Sequence, residues 1–163
     1  MVKVMGLVML GLFLVLPVRA ELRDGRIKDV RASNAAEIKD RRVEFKEKLA
    51  KIKDEKKRLV VEKLDTRFNE VNAKRTAQMT KHLNKMTEIL GKVSGDVSSA
   101  SAAIKTAQDA VTAQSEKTYV ITISSEANLK IDVGKVRSQL EADLKSVNEL
   151  VIAARKAVQV LLK

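Results

Sequence analysis

From Arg26 to Val93 the chain runs without a proline, and its only glycine there is Gly91. Along that stretch apolar residues recur in groups at alternating steps of four and three. The groups are Phe45, Leu49, Ile52; then Leu64, Phe68, Val71; then Met79, Leu83, Met86, Leu90, Val93. This spacing keeps one stripe of a helix apolar, the pattern of a helix packed lengthwise against another. Lys56 and Arg75 fall at core-type positions of the same seam, where polar residues fix register at a cost in stability. Glu44–Lys48, Glu47–Lys51, Asp54–Arg58 and Glu70–Lys74 have the favourable i,i+4 orientation for the exposed face. The pattern predicts one helix of roughly 100 Å.

Ser94-Gly95-Asp96 breaks it. Gly95 can take a left-handed conformation and Asp96 can cap the next helix. A second helix is expected over about 97–114, with Ala100, Ile104, Ala107, Val111 and Gln114 as its seam. A third is expected over about 125–162, capped by Ser124 or Ser125. Its seam is Leu129, Val133, Val136, Leu140, Leu144, Val147, Val151, Ala154, Val158 and Leu161. Between them lies the stretch TYVITIS, whose β-branched and aromatic residues suit extended backbone rather than helix. Residues 116–124 would span roughly 30 Å if extended. Added to the roughly 27 Å of the second helix, that matches the roughly 57 Å of the third. The extended stretch is therefore expected to complete the middle pass of three. Tyr119, Ile121 and Ile123 would turn into the groove between the first and third helices. An edge pairing with another chain is the alternative.

The expected fold is all-α: an elongated antiparallel helical coiled coil, or three-pass bundle, with a long N-terminal helix and one short extended segment. Residues 1–20 read as a signal peptide, 21–59 as a basic helical stalk, and 60–163 as the three-pass domain, its first helix over about 60–93. The signal peptide rests on Lys3, a thirteen-residue apolar run from Val4 to Leu16, Pro17, and small or apolar residues at Val18 and Ala20. An uncleaved anchor would need roughly 20 apolar residues. The expected location is outside the cytoplasm, whether periplasmic, cell-surface or extracellular.

Aromatic residues make up only 2% of the 163, so a thick globular core is not expected. Cysteine is absent, which excludes disulfides and thiolate chemistry. The net charge is +11, and residues 39–59 hold ten basic groups against five acidic ones. Lys39, Arg41, Arg42, Lys46, Lys48, Lys51, Lys53, Lys56, Lys57 and Arg58 form the one candidate functional surface, suited to a polyanion or an anionic envelope surface. A solvated helix face is the plainer reading of the same residues. Without interleaved aromatics, sequence-specific nucleic-acid binding is not expected. His82 stands alone among Met79, Leu83 and Met86, and reads as a flanking residue rather than a base or ligand. Met79 and Met86 read as core. Glu141 and Asp143, two apart on a helix, point to different faces. No catalytic, metal or cofactor group is expected.

The segments KHLNKMTEILGKVS, AIKTAQDAVTAQSEKTYVITISSEANLK and VIAARKAV, in this order and spacing, resemble a group of uncharacterised secreted coiled-coil proteins of ultra-small bacteria. The resemblance covers about residues 40–160 and implies no activity or site residues. In size, charge, export signal and long helices the chain also resembles the small basic periplasmic chaperones with helical tentacles, but it lacks a counterpart to their β-strand assembly core. These readings lead to an exported non-enzymatic coiled-coil protein acting through protein–protein or cell-envelope contacts, self-association included. The alternatives are a periplasmic holdase chaperone and a polyanion or membrane-surface binder using residues 39–58. Export is expected to remove residues 1–20. An intact mass of the secreted protein starting at Glu21 checks this, and a mass that still includes Met1 refutes it.

Overall fold

The computed structural model describes residues 18–162, with side chains described for residue 33 and for 35–162. The apolar run of the expected signal peptide lies outside the described residues. The chain divides into two compact units, Met1–Glu37 and Ile38–Lys163. Among the described residues four helices are formed: α1 (Val18–Ala50), α2 (Glu55–Leu90), α3 (Ser98–Ser115) and α4 (Leu129–Val160). No strand occurs among the described residues, and the fold is all-α. The described residues of the first unit belong to α1. The second unit holds the rest of α1, from Ile38, together with α2, α3 and α4.

The expected single helix from 26 to 93 is broken at residues 51–54. No proline or glycine makes this break. Asp54 leaves helical geometry at φ −77° and ψ 106°, and its carboxylate accepts the Lys57 N–H at 3.2 Å, an N-cap. Glu126 accepts the backbone N–H groups of Lys53 at 3.0 Å and Asp54 at 3.4 Å, so the turn is held from 73 residues away. Ile52 is buried within the turn. Lys56 and Arg75, expected at core positions, are both exposed. The stalk reading of 21–59 also changes at its end. Phe45, Leu49 and Ile52 are buried against the bundle, and the compact unit begins at Ile38 rather than at residue 60.

At one end of this unit α2, α3 and α4 pack as a three-helix bundle around Met79, Leu83, Met86, Leu90, Ile104, Val111, Val151 and Val158. All five expected seam residues of α3 are buried. Ala100, Ala107 and Ala154 are almost wholly enclosed, and their small size lets the helices approach closely. The α2–α3 connection turns at Gly95, whose φ of 117° suits a residue without a side chain. Asp96 accepts the Ser98 N–H at 2.9 Å.

At the other end α3 stops, and residues 117–125 take its place without forming a helix. Tyr119, Val120, Ile121 and Ile123 are buried there with Phe45, Leu49, Ile52, Val61, Phe68, Leu129 and Leu140. Tyr119, Ile121 and Ile123 face inward as expected, and Thr122 is exposed. Val120 is buried too, because α1 adds apolar surface that a three-pass bundle would lack.

A non-helical backbone in a core needs partners from elsewhere. Here α2 supplies them from Asp65, Asn69 and Asn72, spaced one helical turn apart. The Asn69 carboxamide accepts the Tyr119 N–H at 2.9 Å and donates to the Tyr119 carbonyl at 2.8 Å, as a neighbouring strand would. Asp65 accepts the Ile121 N–H at 3.0 Å. Asn72 donates to the carbonyls of Gln114 at 2.9 Å and Lys117 at 3.1 Å. The buried line of α2 reads 61, 65, 68, 72, 76, 79, with two successive steps of four across the ladder. From 65 to 76 the buried line advances eleven positions in three steps, in place of the heptad rhythm. At α4, Asp132 accepts both the N–H and the hydroxyl of Ser124, at 2.8 and 2.7 Å. Ser124 therefore does not cap α4, which starts at Leu129, later than expected.

Ile121 is fully enclosed. Ile121→Asp is expected to cost more than the ~1.5–3 kcal/mol of lost apolar burial, because it also strands a carboxylate in the core. Thr122→Asp, on the exposed side, should cost well under 1 kcal/mol. Urea melts of the two variants measure the contrast, and equal midpoints would mean that 117–125 is not a packed pass.

Candidate functional site

The ten basic residues expected to form a surface over 39–58 divide into two sets. Arg42 donates to Asp65, joining α1 to the ladder on α2. Lys48 pairs with Glu44 at 2.7 Å, and that bond and charge hold the Glu44 carboxyl below the usual range. Lys57 bridges Asp54 at 3.7 Å and Glu126 at 3.6 Å, and Arg58 meets Glu55 at 3.5 Å. Arg41 also has a partner. Lys39, Lys46, Lys51, Lys53 and Lys56 are exposed, with no ion pair to any described residue. Of the expected i,i+4 pairs, Glu44–Lys48 forms. Asp54 and Arg58 turn to other partners because the helix restarts between them.

These five lysines surround the end of α1, the turn at 51–54 and the start of α2. Apolar side chains lie open among them: Val43 is 51% exposed and Leu59 45%. The surface thus combines exposed cations with single exposed apolar residues, on helices fixed from beneath by Arg42, Phe45, Leu49 and Ile52.

His82 is exposed, while Met79 and Met86 are buried in the three-helix core. Glu141 is exposed and pairs with Arg137 at 2.8 Å, whereas Asp143 turns inward. Among the described residues no group of three or more metal-ligating side chains converges, and no helix is long and apolar enough to cross a membrane.

The sequence reading missed the interior polar network. Gln114 donates to Asn72 at 3.0 Å and to the Tyr119 hydroxyl at 2.6 Å. That hydroxyl donates to Asp143 at 2.8 Å, and Lys117 approaches the same carboxylate at 3.0 Å. A continuous set of bonds therefore crosses from α2 through the end of α3 to α4. Among the described residues every buried side-chain nitrogen or oxygen has a partner. Burial, with the Asp143 carboxylate beside it, pushes the Tyr119 phenol up to about 12. Glu126 is held low, first by the Lys53 N–H and then by Asp54 and Lys57. Burial pushes Asp132 up, but the two bonds from Ser124 and the charges of Lys135 and Lys48 outweigh it and hold the group low. A signal was present in the spacing of Asp65 and Asn72. They stand one heptad apart on the line that Val61 and Phe68 mark as buried.

Comparison with protein-family models, with curated proteins and with solved structures found no match to this chain.

Tyr119 is the only tyrosine, so its titration can be followed directly by phenolate absorbance. Its folded value lies above the ordinary 10.0. The stability that this group contributes is complete below about pH 10 and lost as pH rises toward about 12. Phenolate should form near 12 in the native protein and near 10 in urea. Tyr119→Phe should cost about 1 kcal/mol at neutral pH and remove this group's share of the alkaline loss. A native titration near 10 would contradict the buried bond to Asp143.

Proposed function

We propose that the chain is an exported, non-catalytic helical protein that works by contact, engaging the cell envelope or a protein partner through the basic corner between α1 and α2. The observation that carries this reading is the division of the basic residues. Arg42, Lys48, Lys57 and Arg58 pair with the protein's own acids, while Lys39, Lys46, Lys51, Lys53 and Lys56 stay exposed. Five exposed cations over a packed base attract an anionic surface and lose little order on binding it. The interior polar side chains support the same reading, since Asp65, Asn69, Asn72, Gln114 and Asp132 are spent on holding backbone and neighbours. A leader at 1–20 would deliver this surface to the envelope.

Fractionation of expressing cells tests the proposal. The protein is expected in the exported fraction, bound saturably to isolated envelopes at low ionic strength and released as salt screens the lysines. Exchanging Lys46, Lys51, Lys53 and Lys56 for Gln should weaken retention without lowering the urea midpoint by more than about 0.5 kcal/mol in stability. Retention in the cytoplasm, or envelope binding unchanged by salt and by the four exchanges, would overturn it.

A further inference from the structure

The basic corner carries more than charge. On α1, Lys39, Val43 and Lys46 follow one another at steps of four and three and share one exposed stripe. On α2, Lys56, Leu59 and Lys63 follow at steps of three and four and share another. Arg42 reaches from α1 to Asp65 on α2, so the flank of α1 beside Arg42 adjoins α2. At 100° per residue, Lys39 and Lys46 lie on that flank, and Leu59 and Lys63 lie on the solvent side of α2 next to it. The two stripes therefore open on the same side of the corner. Each has a half-exposed apolar residue between two lysines that have no ion pair among the described residues. Exposed acids adjoin both stripes, Asp40 and Glu47 beside Val43 and Glu55 and Glu62 beside Leu59, and Glu55 is taken up by Arg58.

We infer that this side of the corner docks on an anionic lipid surface, with Val43 and Leu59 entering the headgroup boundary and Lys39, Lys46, Lys56 and Lys63 meeting the phosphates. The inference rests on the envelope reading above and names the partner. Lysines alone would suit any polyanion. A hydrated polymer or an acidic chain segment gives an exposed leucine or valine nothing to bury into, whereas a lipid surface removes both from water. The alternation of cation and apolar residue on both helices is the chemistry of a peripheral membrane face.

The protein recovered from expressing cells is sedimented with vesicles of phosphatidylcholine, and with vesicles in which part of the lipid is phosphatidylglycerol. The ratio of the two partition coefficients is the readout, because any retained leader adds to both. Wild type should prefer the anionic vesicles, and the preference should fall with salt. Lys39→Gln with Lys46→Gln should lower anionic binding about thirtyfold, near fivefold per lysine. Val43→Ser with Leu59→Ser should also lower anionic-vesicle binding while leaving binding to heparin unchanged. Far-ultraviolet circular dichroism melts confirm that each variant is folded. Undiminished vesicle binding by the lysine pair, or by the Val43/Leu59 pair, would overturn the inference. If envelope retention persists while anionic vesicles are ignored, the partner is a polymer or protein, and only the lipid assignment fails.

Discussion

Nine residues of non-helical backbone, 117–125, pack into the core of a helical protein, and their need for hydrogen-bond partners governs the rest of the second unit. A helix satisfies its own peptide groups, but this run cannot easily become one. Thr118, Val120, Ile121, Thr122 and Ile123 each lose side-chain freedom in a helix, at a few tenths of a kcal/mol apiece. The solution places a peptide-like side chain opposite a peptide. Asn69 offers Tyr119 the same donor and acceptor that a paired strand would, and Asp65 and Asn72 extend the match to both sides. Buried polar groups of this kind are costly only when unmet, at about 1–3 kcal/mol each. Here they form a connected set.

Asp65 links that set to α1. Its carboxylate serves the Ile121 N–H and Arg42 together, so the charge on Asp65 ties the middle pass to the helix that covers it. The Arg42 side chain is about a third exposed, which lowers the desolvation cost of the pair. The same bond orients α1 and so decides which lysines face outward. Glu126 plays the corresponding part at the turn, binding the two N–H groups left open where α1 ends and α2 begins. Surface chemistry and interior bonding are thus one arrangement: the basic corner has a defined shape because two acids beneath it are fixed.

The helical passes were legible because their signal is local. The α3 seam is buried as its spacing required, and α4 buries Leu129, Leu140, Val147, Val151, Ala154 and Val158 of its expected line. The inward turn of Tyr119, Ile121 and Ile123 was legible from alternation. What escaped depends on residues far apart in the chain. The break at 51–54 needs Glu126. Asp65 and Asn72 drew no reading because the backbone that they serve lies 42 to 56 residues later. Leu64 and Val71 drew the seam one residue too far round the helix, and both are only partly buried. The docking of Phe45, Leu49 and Ile52 was hidden because their groove is completed by Tyr119 to Ile123.

The polar ladder also bears on how the chain behaves before it is whole. Synthesis delivers α2 well ahead of residues 114–121. During that interval water can satisfy Asp65, Asn69 and Asn72, so the line that will carry the middle pass bares Val61 and Phe68 but not an unbroken apolar seam. For the side chains that later stand in for a strand, water holds the place until the middle pass arrives.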